Sequence, residues 1–247
     1  MMKTKDPVVH NRRGFLQAAA LTAASLAMGA MPRPTLSAGM KVGVIGSGKV
    51  GGTVGALWVK AGHEVMFSSL ELEHDKALAA RLGGGARAGT SKEAAAFGEV
   101  LFFAVPYAAL PQLGRELGDF LKGKIVLDAC NPIPARDGDM AAEAKAKGTG
   151  VASPQLLPGA RIVRAFNCVS YIKMQSEAHR AGERLAIPLA GDDAVALQVA
   201  ERLVREAGFE PVLVGGLARA KEFDYGTPIF GRALTAAEVR QVLGLKS

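Results

Sequence analysis

Apolar residues fall along this chain in short runs that stop at small or turn-forming residues. Met40 to Ile45 is a β-branched run closed by Gly46, and His63 to Phe67 is a second, closed by Ser68-Ser69. Further runs are Val100 to Val105 before Pro106, Lys124 to Cys130 before Asn131-Pro132, Arg161 to Phe166 before Asn167, Leu185 to Gly191, and Gly208 to Gly215. Runs this apolar and this short read as strands buried on both faces. Between them, Gly52 to Gly62, residues 107–121 and the stretch from Asp192-Asp193 to Ala207 read as helices, and helical segments follow near 216–223 and 235–244. Strand and helix therefore alternate, which predicts an α/β fold. The specific expectation is a Rossmann-type, doubly wound, mostly parallel sheet with a small C-terminal helical extension. Residues 39–247 contain no Pro/Ser-rich linker, repeat or low-complexity tract, so they are expected to form one domain.

Residues 1–38 follow a different pattern. A polar stretch ending in Asn11-Arg12-Arg13-Gly14-Phe15-Leu16 precedes an Ala-rich apolar run to about Met31, then Pro32, Arg33, Pro34 and the small residues Ser37-Ala38-Gly39. That is the order of a signal peptide, and the paired arginines resemble a twin-arginine export signal. The expectation is an exported, periplasmic protein that meets a membrane only during export. The leader also accounts for much of the net charge of +7. It carries Lys3, Lys5, Arg12, Arg13 and Arg33 against Asp6, which leaves 25 positive and 22 negative residues in the rest. So small an excess, without a basic block, argues against a nucleic-acid partner.

The chemistry is concentrated at the first strand end. Gly46-Ser47-Gly48-Lys49-Val50-Gly51 is a G-x-G-x-x-G loop placed between a strand and a helix, the context that makes it a dinucleotide signal. Gly46 would make the tight turn, Gly48 admit the pyrophosphate, and Gly51 let helix and strand pack closely. The helix N-terminus adds free N–H groups and a positive dipole end. At the end of the second strand Ser68 and Ser69 stand where NAD enzymes usually carry Asp or Glu. Small hydroxyls there favour NADP over NAD, which remains possible, because Glu71 and Glu73 lie just downstream and the nearest cations are Lys76 and Arg81. Three other strands end at Ala104-Val105-Pro106, Asn131-Pro132 and Ala165-Phe166-Asn167, on the side where ligands bind in such sheets. Asn131 and Asn167 could meet the nicotinamide carboxamide, or could simply form turns.

The segments VGVIGSGKVGG, LFFAVPY, GKIVLDACNP, PGARIVRAFNCV, PLAGDD and GFEPVLVGGLARAKEFD, in this order over about residues 40–224, resemble the F420-dependent NADP reductases. The resemblance implies a small Rossmann domain, commonly dimeric. It implies NADP held by Gly46 to Gly51 and by the end of the second strand. Nicotinamide would lie near Ala104 to Pro106, Asn131-Pro132 and Ala165 to Asn167, with a small-molecule redox partner (a deazaflavin, F420, or a flavin) stacked on it. Members carry Ser-Arg at the end of the second strand, whereas here Ser69 or Leu70 stands at the arginine position.

Hydride exchange between two such rings demands no acid or base of the protein, and no catalytic set is evident. His63, His74 and His179 read as surface residues, and Cys130 and Cys168 match no metal spacing. Two alternatives stay open. One is a reductase of a small carbonyl or imine, with Tyr107, Lys173 or Tyr225 as proton donor. The other is a non-catalytic dinucleotide-binding protein. Tyr107 could line the pocket or pack at the start of its helix.

Overall fold

The computed structural model describes Met1 and residues 39–246; the segment expected to be an export leader, with Arg12-Arg13, lies outside the described residues. Eight strands form one sheet in the order β3-β2-β1-β4-β5-β6-β7-β8. They are β1 Lys41–Ile45, β2 Glu64–Ser68, β3 Ala86–Ala88, β4 Val100–Phe103, β5 Ile125–Asp128, β6 Arg161–Arg164, β7 Ala186–Gly191 and β8 Glu210–Gly215. Order 3-2-1-4-5-6 with parallel pairing is the doubly wound arrangement, in which the chain reverses its winding direction between β1 and β4. The exception is β7, which pairs with β6 antiparallel and with β8 parallel.

The central strands are buried on both faces, which is why they read as unbroken apolar runs. In β4, Val100 and Phe102 belong to the core on one face while Leu101 and Phe103 belong to the core on the other, the two-residue period of a strand. The first core is centred on Trp58 of helix α1 (Lys49–Lys60), whose ring stands edge-on to Phe102 at 5.1 Å and to Phe166 at 5.8 Å. The indole N–H donates to the Leu203 carbonyl at 2.8 Å, so a buried polar atom is satisfied within the core.

Helices α2 (Leu72–Leu82), α3 (Ser91–Phe97) and α4 (Leu110–Glu116) link the next strands. The expected helix over 107–121 is broken into a 3-10 turn at Tyr107–Ala109, α4, and a short turn at Gly118–Leu121. Further helices span Asp139–Lys147, Thr149–Leu156, Tyr171–Glu177, Ala194–Glu206 and Ala236–Leu243, the last forming the C-terminal extension. His63, expected at the surface, is 2% exposed. Its Nδ1 accepts from the Met40 N–H at 3.0 Å, and its Nε2 lies 2.9 Å from Glu206 Oε2, so it ties the start of β1 to the far end of helix Ala194–Glu206. Burial lowers its pKa against the opposing pull of Glu206.

Candidate functional site

The turn from β1 into α1 is built by its glycines. Gly46 has φ +98°, and a Cβ there would lie 2.6 Å from the Ala104 carbonyl oxygen, so the ends of β1 and β4 meet only because this residue has no side chain. A Cβ on Gly51 would drive into the Gly46 carbonyl, and this close approach packs α1 onto the turn. Gly48 is the opposite case. A Cβ there would meet nothing within 4 Å, because it would project into open space. Gly48 is also the N-cap of α1, supplies no side-chain hydrogen bond, and is followed by a first turn without acidic residues. The first-turn N–H groups thus face open space beside a residue that leaves room for an anion, which fits a pyrophosphate.

That space is a cleft of about 390 Å³. Six of the residues expected to bind cofactor line it: Gly46, Gly48, Ser69, Ala104, Val105 and Pro106, together with Leu70, Glu71, His74, Ser91 and Leu113. Ser47 and Lys49 face a second cavity of about 560 Å³ that shares Gly48 and His74 with the first. Lys60 and Arg81 also line it, and neither has an ion-pair or hydrogen-bond partner among the described residues. Lys49 lies over the Tyr171 ring at 5.3 Å. Val50 is half-buried on α1 and Gly51 is buried within it.

The serines at the end of β2 do not work as their sequence position suggested. Ser68 is fully buried and its hydroxyl donates to the Val44 carbonyl at 2.8 Å. Its carbonyl accepts from Gly46 N at 2.9 Å and Ser47 N at 3.0 Å, so Ser68 holds the glycine turn in place and its hydroxyl is not available to a 2′-phosphate. Ser69 Oγ donates to Asp75 Oδ2 at 2.9 Å, and Ser47 Oγ donates to Asp75 Oδ1. Both hydroxyl protons are thereby committed to one fully buried carboxylate. Asp75 was not singled out by sequence reading, because its two partners lie 28 and 6 residues away and no local spacing joins them. Leu70, which with Ser69 stands where the resembled family carries arginine, is fully exposed.

Asn131, Ala165 and Asn167 sit at the ends of β5 and β6 but do not line the nucleotide cleft. Asn131 Nδ2 donates to the Asn167 carbonyl at 2.7 Å, and Asn167 Nδ2 donates to the Phe223 carbonyl at 3.2 Å. The side-chain oxygens of both asparagines are buried without a partner. Two unsatisfied acceptors at the strand ends suit a ligand amide N–H better than a turn-forming role alone. Pro132 lines a third cavity of about 170 Å³.

Beneath these strand ends lies a group the sequence did not disclose. Arg164 is completely buried; it forms an ion pair with Asp128 at 2.8 Å and donates to the Cys130 carbonyl at 2.9 Å and to Asp224 Oδ1 at 3.3 Å. It ties β5, β6 and the 224 region into one piece. Cys130 and Cys168 are free thiols in this layer, and burial pushes Cys168 up to about 12 and Cys130 well above its ordinary value. Tyr107 is core: it is fully buried, its hydroxyl lies 3.3 Å from Ser153 Oγ, and burial raises its pKa.

Residues 41–132 match the model of the family described as NADP oxidoreductase, coenzyme F420-dependent. The matched stretch runs from β1 to Pro132 and so contains the glycine turn, the cleft and the end of β5. Over that stretch the chain resembles this NADP oxidoreductase family. The chain is also 30% identical over 187 residues to the metalloreductase STEAP3 of Rattus norvegicus, across 74% of this chain but only 36% of that protein's length. Among solved structures, a protein of Sinorhizobium meliloti described as hypothetical superposes with a TM-score of 0.66 at 24% identity, covering 81% of this chain and 96% of that one. A chain from Arthrobacter sp. FB24 assigned as an F420-dependent NADP reductase superposes with 0.64 at 22% identity, covering 74% and 88%. These two structures share the fold.

Proposed function

We propose that the protein is an NADP(H)-dependent oxidoreductase that moves hydride between nicotinamide and a deazaflavin (F420) or flavin-like acceptor. The observation that carries this reading is the open, uncapped turn at Gly48 beside a cleft also lined by Ala104-Val105-Pro106. The nicotinamide nucleotide supplies the hydride when bound. The chain's own part is to hold and orient it. The N–H groups of the first turn of α1 bind the pyrophosphate, and Gly46 fixes the spacing of β1 and β4 beneath it. Ala104-Val105-Pro106, which line the cleft, offer the surface against which the nicotinamide end would lie. Neither Ser69 nor Leu70 carries a cation, so we assign the 2′-phosphate to Lys49 and Arg81 in the adjoining cavity, where His74 links the two spaces. Lys49 and Arg81 then offset the anionic influence of Asp75 and Glu71.

A second reading, reduction of a small carbonyl or imine, draws on one observation. Of its three candidate donors, Tyr225 lines the cavity beside Pro132, whereas Tyr107 is closed into the core. From the pattern of residues 1–38 we further propose export to the periplasm by the twin-arginine route. Cell fractionation with Arg12→Lys/Arg13→Lys, which should hold the chain in the cytoplasm, tests that. The redox reading is tested by anaerobic mixing of the full chain with NADPH and either F420 or a flavin. Coupled loss of nicotinamide and acceptor absorbance in equal amounts is expected. Turnover of imines or ketones with no flavin or deazaflavin reduction would replace it with the second reading.

A further inference from the structure

The third cavity is joined to the strand ends by consecutive hydrogen bonds. Asn131 at the end of β5 binds the Asn167 carbonyl, and Asn167 binds the Phe223 carbonyl. Phe223 leads directly into Asp224 and Tyr225, which line the cavity with Pro132, Lys145, Lys221 and Thr227. The ends of β5 and β6 are thus tied to the segment that lines this space.

Its chemistry is cationic and incomplete. Lys145 and Lys221 are exposed on the cavity's rim, and neither has a carboxylate at ion-pair distance among the described residues. The one acid in the lining, Asp224, is already committed. It accepts from the Thr149 hydroxyl at 2.5 Å and N–H at 3.0 Å, and pairs with Arg164 at 3.3 Å. Thr227 Oγ1 is buried without a partner, and Gly226, at φ +87°, turns the backbone at the cavity's edge. Two free cations and an unsatisfied hydroxyl form a receptor for oxygen atoms that carry negative charge. At about 170 Å³ the cavity is too small for a whole ligand, which usually fills roughly 300–1,000 Å³, and is the right scale for one charged group of it.

We propose that this cavity binds the phosphate or carboxylate group of the hydride acceptor, so that Lys145 and Lys221 select acceptors bearing an oxyanion. The proposal rests on the hydride-transfer reading above. Flavin mononucleotide and riboflavin share a ring and differ in one phosphate. Each is titrated into the full chain saturated with NADP⁺, and flavin fluorescence is followed. Flavin mononucleotide is expected to bind about tenfold more tightly or better, the equivalent of one charge-assisted contact. Lys145→Ala/Lys221→Ala should bring it to the riboflavin level without changing NADP⁺ affinity, and Lys145→Arg/Lys221→Arg should keep the preference. Equal binding of the two flavins, or a preference that survives the double alanine variant, overturns the proposal. If neither flavin binds, inorganic phosphate is followed by phosphorus NMR line broadening. Broadening that the double alanine variant removes upholds the oxyanion site and rejects flavin as the acceptor. No broadening rejects the site.

Discussion

Gly48 and Gly51 lie three residues apart in one loop, and the structure assigns them opposite consequences. In Gly48→Ala the new methyl group meets nothing within 4 Å. Gly48 has φ −65°, which alanine adopts without strain. Alanine is a worse N-cap than glycine by about 1 kcal/mol, but it also restricts the unfolded chain, by about 0.4–1 kcal/mol. The two effects oppose each other, so the melting temperature should move by no more than about 2–4 °C, the shift that 1 kcal/mol gives a domain of this size. Binding is another matter. The methyl group occupies the space into which the pyrophosphate must come, and withdrawal of one phosphate oxygen from an N–H donor costs about 1.5–3 kcal/mol. That is a rise in Kd of roughly 10- to 150-fold. In Gly51→Ala the methyl group is driven into the Gly46 carbonyl, an overpacking that costs about 1–3 kcal/mol of stability. Thermal melts and nucleotide titrations of both variants check the pair. A Gly48→Ala protein that binds like wild type, or a Gly51→Ala protein with an unchanged melting temperature, would refute this reading of the loop.

Other consequences can be measured separately. Arg164→Met leaves Asp128 buried without its cation, and removing one partner of a buried pair costs about 3–5 kcal/mol; denaturant unfolding should show the loss. Because the folded pKa of His63 is lowered below the unfolded value of about 6.5, its stabilising contribution is present above that pH and is lost as pH falls through the lowered folded value. Melting temperature should therefore decline as the solution is acidified just below pH 6.5 or so, and His63→Asn should flatten that slope; a slope unchanged by the substitution would count against the assignment. Lys49→Ala/Arg81→Ala should weaken NADPH about tenfold or more while leaving NADH within about twofold, as removal of a 2′-phosphate contact requires. Equal weakening of both nucleotides would place those cations elsewhere. Native Cys130 and Cys168 should resist thiol reagents, and both should react once the chain is unfolded, since burial keeps them protonated.

Most of the sheet was legible because its central strands are apolar on both faces, and the glycine turn was legible because its requirements are local. The β3 strand was not, being three residues at the sheet edge with Arg87 at its centre. Helix α3 carries a readable start, Thr90 and Glu93 capping each other's backbone N–H groups, but its apolar positions are mostly alanines that give little periodic contrast. Nothing in composition marks the reversed direction of β7, since strands of either polarity bury the same side chains. The long-range polar groups were hidden for one shared reason. Asp75, His63 and Arg164 find partners 28, 143 and 60 residues away along the chain, and each sits within a segment whose own pattern is already explained by strand or helix. The strand-end position of Ser68 and Ser69 could not show their hydrogen bonds to Val44 and Asp75; Ser68 is closed into the core, whereas Ser69 still lines the cleft.

The central claim is that the cleft at the end of β1 binds a nicotinamide dinucleotide. The chain's one tryptophan, Trp58, lies on α1, the helix whose N-terminus would hold the pyrophosphate. Its emission should transfer to a bound reduced nicotinamide. Titrating the full chain with NADPH should quench Trp58 and raise nicotinamide fluorescence along one saturable curve, with a stoichiometry of one per chain. No saturable change with either NADPH or NADH would contradict the account at its foundation.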